Sequence, residues 1–289
     1  MQINLFSSID DFLAEVQPVL RENEAANNLM LGIALRVQSD GQAYGTGYHC
    51  AAVYQDEVLA AALLMTPPYH LVIHCTAGDG SDLWPQVISE LRQADWPIPG
   101  VFGHSEPVHA FAEAWQKVTG DKIQYSERMR TFELKQVIWP KMPGGFMRKA
   151  TIDDLDLVLA WQRSFELEAL DRDAPPATPE QIRKHIEDGD YYLWVECEPV
   201  SMAATVRPVG DGISISNVYT PPEKRQNGYA SGLVATLSQL MLDRWYKYVT
   251  LFTDRNNPTS NDIYQKIGYQ QVCDYDQIKF VPDFRTEKA

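Results

Sequence analysis

Positive charge is the first thing this sequence lacks: 25 Lys and Arg against 39 Asp and Glu leave a net charge of -14. A chain whose affinity came from neutralising phosphates would carry the opposite sign, so nucleic acid is excluded as an expected partner. Cysteine is scarce. The four residues Cys50, Cys75, Cys197 and Cys273 form no C-x-x-C pair, which argues against a zinc knuckle or a redox dithiol and fits free thiols in a reducing cytoplasm. His49-Cys50 and His74-Cys75 suggest a metal at first sight, but adjacent residues on a strand point to opposite faces, and no metal is expected. No apolar run approaches the roughly 18 residues of a membrane span, and residues 1–10 carry an acid, Asp10, and none of the bases of a signal peptide. A soluble, cytoplasmic protein without membrane contact is the expectation. Compositional bias is also absent: 45% apolar and 22% charged residues, with Gly 17 and Pro 18, exclude a disordered or collagen-like chain.

What is present is 289 residues, enough for two domains. Two prolines and two glycines within residues 140–145 interrupt the pattern, which places a boundary there, with domains at 1–140 and 141–289. In the second, residues 146–150 read as a strand and a helix enters at Thr151. Thr178-Pro179-Glu180-Gln181 is a capping box that opens another helix, and strands follow at 191–196, 200–207 and 213–219. A long helix from Tyr229, a strand at 248–253, a helix at 260–267 and a final pair of strands at 269–273 and 277–281 complete it. The first half repeats nearly the same order, with its own closing strand at 128–136. The fold class expected is α/β with mixed character: two similar domains, each a central, mostly antiparallel mixed sheet flanked by helices.

One stretch carries chemistry. Val218-Tyr219-Thr220 ends a strand, and a polar loop then opens directly into the helix at Tyr229, leaving backbone N–H groups at the positive end of a helix dipole. Such a terminus is an anion site, and a phosphate is its natural guest. Gly228 permits close approach or an unusual dihedral, Ala230 keeps the first turn free of bulk, and Lys224 and Arg225 add positive charge. No acid lies between Lys224 and Met241, in a chain this acidic.

Here the sequence resembles the GCN5-related N-acetyltransferase (GNAT) superfamily, whose phosphate-loop pattern Q/R-x-x-G-x-G/A is matched by Arg225, Gly228 and Ala230. Downstream, Asn257 and the run Tyr264-Gln265-Lys266-Ile267-Gly268-Tyr269 are similar to the asparagine segment and the Y-x-K-x-G-F/Y ending of that family. The resemblance covers residues 146–281. The matching segment of the first half, residues 76–82, has glycines but carries Asp79 and Asp82 where a pyrophosphate needs positive charge. It resembles a degenerate copy without a phosphate loop, expected to shape the acceptor pocket or a homodimer.

The resemblance implies an acetyl-CoA-dependent N-acetyltransferase. Its pyrophosphate would lie on the N–H groups of Gln226, Asn227, Gly228, Tyr229, Ala230 and Ser231, and its pantetheine on the strand edge at Val218, Tyr219 and Thr220. Asn257 would hydrogen-bond the cofactor, and Tyr264 would act as general acid toward the departing thiolate. Direct attack by a primary amine of a small, cationic acceptor also needs a base, for which Glu166, Glu168, Glu196, Glu198 and His185 stand as candidates. The acidic segment 165–173 would attract the cationic acceptor. The alternative is a non-catalytic acyl-CoA binding or sensing protein in which Tyr264 is structural.

Overall fold

The computed structural model describes residues 1–45, 47–169 and 176–282. They form two compact units, Met1–Met129 with Cys273–Ala289, and Arg130–Val272. The division falls at Arg130, where a boundary at residue 140 was expected, and the first unit also takes in the chain from Cys273 onward.

The first unit begins with β1 (Gln2–Phe6), α1 (Ile9–Arg21), α2 (Glu24–Ser39), β2 (His49–Gln55), β3 (Val58–Met65) and β4 (Leu71–Cys75). It continues with α3 (Trp84–Gln93), β5 (Gly100–His104) and α4 (Ser105–Thr119), followed by β6 (Lys122–Leu134). The second runs through β7 (Phe146–Lys149), α5 (Leu155–Ala169), α6 (Pro179–Glu187), β8 (Tyr191–Val195), β9 (Pro199–Val209) and β10 (Gly212–Tyr219). Then come α7 (Tyr229–Asp243), β11 (Tyr248–Asp254), α8 (Pro258–Ile267) and β12 (Gln270–Val281).

In the first unit the strand order is β1-β2-β3-β4-β5-β12, antiparallel except for the parallel β4–β5 pair. In the second it is β7-β8-β9-β10-β11-β6, with β10–β11 parallel. The two orders correspond strand for strand, yet the closing strands are exchanged: β12 follows α8 and closes the first sheet, whereas β6 follows α4 and supplies Arg130–Leu134 to the second. The two strands expected at the C-terminus are thus one, since Asp274-Tyr275-Asp276 stays extended against β5 through Tyr275↔His104 and Asp276↔Gly103.

Strand β5 was not expected from the sequence. Gly-Val-Phe-Gly-His is short and glycine-flanked, a poor strand by propensity. Its glycines answer to packing: a Cβ on Gly100 would strike His70 and the Ile278 carbonyl, and one on Gly103 the Ile73 carbonyl.

Alternation along β8 positions the second unit's helices. Tyr192 and Trp194 join the core under α7 and α8, while Tyr191 and Leu193 join the one under α5 and α6. The capping box at Thr178 forms as expected: the Thr178 hydroxyl accepts from the Gln181 N–H at 3.2 Å, and the Thr178 N–H donates to Oε1 of Gln181 at 2.8 Å.

Candidate functional site

Strands β10 and β11 run parallel from Gly212↔Tyr248 to Ile215↔Leu251, and there the pairing stops. Both continue, to Tyr219 and Asp254, so, among the described residues, 216–219 of β10 are not paired with β11. On the β9 side the register slips between Ser216 and Tyr219, and Asn217 within the slip has φ 53. A bulge of this kind bends the strand and turns its backbone aside. Val218 is half-buried here, and Tyr219 is buried with its carbonyl accepting from the Ser201 hydroxyl at 3.1 Å. The hydroxyl of Thr220 donates to that of Ser201 at 2.9 Å. Pro221 and Pro222 follow and have no N–H to extend the ladder.

The polar loop then makes a 3-10 turn at Pro222–Lys224 and reaches α7 through two left-handed residues, Gln226 with φ 67 and Gly228 with φ 79. Gly228 is the N-cap of α7 and offers no side chain to the first turn; a Cβ built on it meets nothing within 4 Å. The Tyr229, Ala230 and Ser231 amides thus form the first turn of a helix with no side-chain cap, the geometry that receives an anion. The Asn227 amide donates to the Lys224 carbonyl at 3.0 Å and to that of Arg225 at 3.2 Å, so this side chain braces the loop from within.

The loop's cations are not free. Lys224 Nζ donates to Glu198 Oε1 and Arg225 Nη2 to Glu168 Oε2, each at 2.6 Å, and Arg225 Nε donates to the Thr220 carbonyl at 2.9 Å. The Tyr229 hydroxyl donates to Glu196 Oε2 at 2.7 Å, a bond to a carboxylate that pushes the phenol's pKa up. Three candidate bases are thereby engaged with the loop. Glu166 Oε1 accepts from Gln162 Nε2 at 2.9 Å and from the Ala177 N–H at 3.1 Å, and His185 Nδ1 meets Asp190 Oδ2 at 2.8 Å. Residues 170–173 of the acidic segment lie outside the described residues.

Asn257 is the N-cap of α8, its Oδ1 accepting from the Ser260 N–H at 3.1 Å. Tyr264, one turn before the αL glycine Gly268 (φ 108), is buried in the core with Leu233, Val234 and Leu251. Its ring meets Tyr269 edge-on at 5.9 Å, and burial pushes its pKa up to about 12.

The first unit diverges at the corresponding place. Pairing of β4 with β5 stops at Ile73↔Gly103, and the loop after β4 contains Gly78 (φ 63) and Gly80 (φ 72). There the fully buried Trp84 donates its indole N–H to the Asp79 carbonyl at 2.7 Å, and a Cβ on Gly80 would collide with that ring. Asp79 accepts from the Ser81 N–H at 3.0 Å. His74 and His104, next along the two strands, have ring centroids 6.0 Å apart; burial, reinforced by His104, pushes His74 down to about 4.

The sequence pattern of the FR47-like protein family matches residues 195–278, from the end of β8 into β12. No curated protein matches the chain in sequence. Solved structures share the architecture over nearly the whole length. A Drosophila protein aligns at TM-score 0.67 with 12% identity, covering 97% of this chain and 98% of its own. A GCN5-related N-acetyltransferase from Sphaerobacter thermophilus aligns at TM-score 0.63 with 16% identity, over 97% and 96%. An acetyltransferase of the GNAT family from Colwellia psychrerythraea gives 0.59 with 10% identity, over 98% and 100%. Among the described residues no helix is long and apolar enough to cross a membrane.

Proposed function

On this GNAT fold, we propose that the second unit binds acetyl-coenzyme A and transfers its acetyl group to the primary amine of a small, cationic acceptor in a ternary complex. The observation that carries the reading is the divergence of β10 from β11 beside a helix end that only Gly228 caps. An extended pantetheine can pair along residues 216–219, and a pyrophosphate can sit on the amides that follow Gly228. Cofactor chemistry is limited to supplying an activated thioester. The amine nitrogen attacks its carbonyl carbon, the C–S bond breaks, and the thiolate takes the proton that Tyr264 holds; the amine's own proton passes to a carboxylate on the acceptor side, for which Glu166 is the candidate. A phenol raised to about 12 keeps its proton throughout the neutral range.

The buried setting of Tyr264 equally favours a second reading, an acyl-CoA binding or sensing protein in which this ring only packs. Tyr264→Phe separates them. Catalysis predicts that turnover, followed as thiol release across a panel of amines, falls about 100-fold, the scale of one lost general acid, at unchanged acetyl-CoA affinity. A parent with no turnover on any amine supports the sensor.

The pairing of the loop cations with acids yields another expectation. Since Glu168 competes with the cofactor for Arg225, Glu168→Gln should tighten acetyl-CoA binding by about two- to five-fold, the range of an exposed ion pair, and should steepen its salt dependence, because the freed guanidinium then pairs with phosphate. Titration calorimetry at two ionic strengths checks this; weaker binding would mean that Glu168 holds the loop in its working shape instead. The first unit, with Trp84 filling its loop and Asp79 at its tip, is expected to bind no cofactor, so the stoichiometry should be one per chain.

A further inference from the structure

Beneath the opening of β10 runs a chain of polar side chains, two of them buried, that begins beside the candidate base Glu166 and whose other members have no part in the reaction. Gln162 on α5 and Tyr191 on β8 are 6% and 2% exposed, inside the core that α5 and α6 lay on the sheet. The Tyr191 hydroxyl donates to Gln162 Oε1 at 3.0 Å and accepts from Asn217 Nδ2 at 3.0 Å. Gln162 Nε2 in turn donates to Glu166, and Asn217 Oδ1 accepts from the Ser216 hydroxyl at 3.2 Å. A core of this kind is more cheaply built from apolar side chains, because each polar group buried in it needs a partner of correct geometry. The chain of bonds ends at the one residue of β10 with a left-handed backbone, at the point where the strand leaves β11. A non-glycine residue holds such a conformation only where its surroundings impose it.

We propose that Gln162, Tyr191 and Asn217 are positioning residues: the hydroxyl of Tyr191 ties the Asn217 side chain to α5 and so holds the β10 bulge in the shape that receives the acyl group of the cofactor. This rests on the acetyl-CoA reading above. A pantetheine that enters from the Gly228 loop and runs back along residues 219–216 brings its thioester to the apex of the opening, beside Asn217. The bulge then recognises the acetyl group, whereas the loop recognises the phosphates, and the two contributions separate experimentally.

The test titrates acetyl-CoA and CoA into the parent protein and into Tyr191→Phe, Asn217→Ala and Asn217→Gly, with a thermal melt of each. The parent should prefer acetyl-CoA over CoA by about five-fold, the size of one hydrogen bond. Tyr191→Phe keeps the packing and removes only the hydroxyl, so the preference should fall to about one while the CoA affinity stays within about two-fold. Asn217→Gly should retain more of the preference than Asn217→Ala, because glycine adopts φ 53 without steric cost and alanine does not. That order is the reverse of what a merely structural strand residue gives, where glycine is the worse replacement. An unchanged preference in Tyr191→Phe, a CoA affinity that falls in step with it, or alanine performing as well as glycine would each overturn the proposal. So would a parent that binds both ligands equally, which leaves the cofactor reading intact. A parent that binds neither removes that reading, and this one with it.

Discussion

Gly228→Asp is expected to raise the Kd for acetyl-CoA by more than about 100-fold with little change in melting temperature. Position 228 has φ 79, and aspartate is among the few side chains that enter this region at modest cost. The space around its Cβ is open, so the folded protein has nothing to displace. A carboxylate at the N-cap of α7 even complements the helix dipole, which further protects stability. Against a bound pyrophosphate the same carboxylate is repulsive. At 4 Å and an effective dielectric near 20 one pair of unit charges is worth about 4 kcal/mol, roughly three orders of magnitude in affinity. Gly228→Ala is the control: it carries the left-handed strain of about 1–2 kcal/mol without the charge and should weaken binding far less. Calorimetry and a thermal melt of both variants decide the matter. If Gly228→Asp binds as the parent does, the phosphates lie elsewhere.

Ending the chain after Val272 should unfold the first unit. Residues 273–281 supply its closing strand, which pairs with β5 from Tyr275↔His104 to Lys279↔Gly100. They also place Ile278 and Phe280 in the core with Trp84, Phe111 and Trp115, where Phe280 stacks on Trp115 at 4.7 Å. Loss of a buried Ile or Phe side chain costs about 2–5 kcal/mol each. Two of them, together with the β5 ladder, approach the roughly 5–15 kcal/mol that holds a domain folded. Limited proteolysis with peptide mapping, or amide exchange, should show residues 1–129 losing protection in the truncated chain. Protection equal to the parent's would mean that β12 merely decorates the first sheet.

Much of the second unit was legible from residues alone. The Thr178 capping box, the glycines at 228 and 268 and the strand at Tyr191 to Val195 are local signals, and local physics decides them. The loop from Pro221 to Gly228 was legible for the same reason: a helix without a side-chain cap is visible as glycine where Ser or Asp would stand. The pairing of Arg225 with Glu168 and of Lys224 with Glu198 was not, since 57 and 26 residues separate the partners. Strand β5 escaped because its glycines are placed by His70, Ile73 and Ile278, which reach it only in the folded chain.

The same distinction holds for the molecule as a whole. By itself the sequence determined most of the second unit's helices and strands, the mixed α/β class and the glycine-capped turn before α7, because capping, turn chemistry and hydrophobic period act over a few residues. Tertiary structure alone decided that β6 and β12 exchange units, that β10 and β11 part after Ile215, and that Gln162, Tyr191 and Asn217 meet beneath the opening. Each of these depends on which distant strands share a ladder. Backbone hydrogen bonds are chemically alike at every residue, so the choice of partner is made by packing across the whole core, which no short stretch of sequence contains.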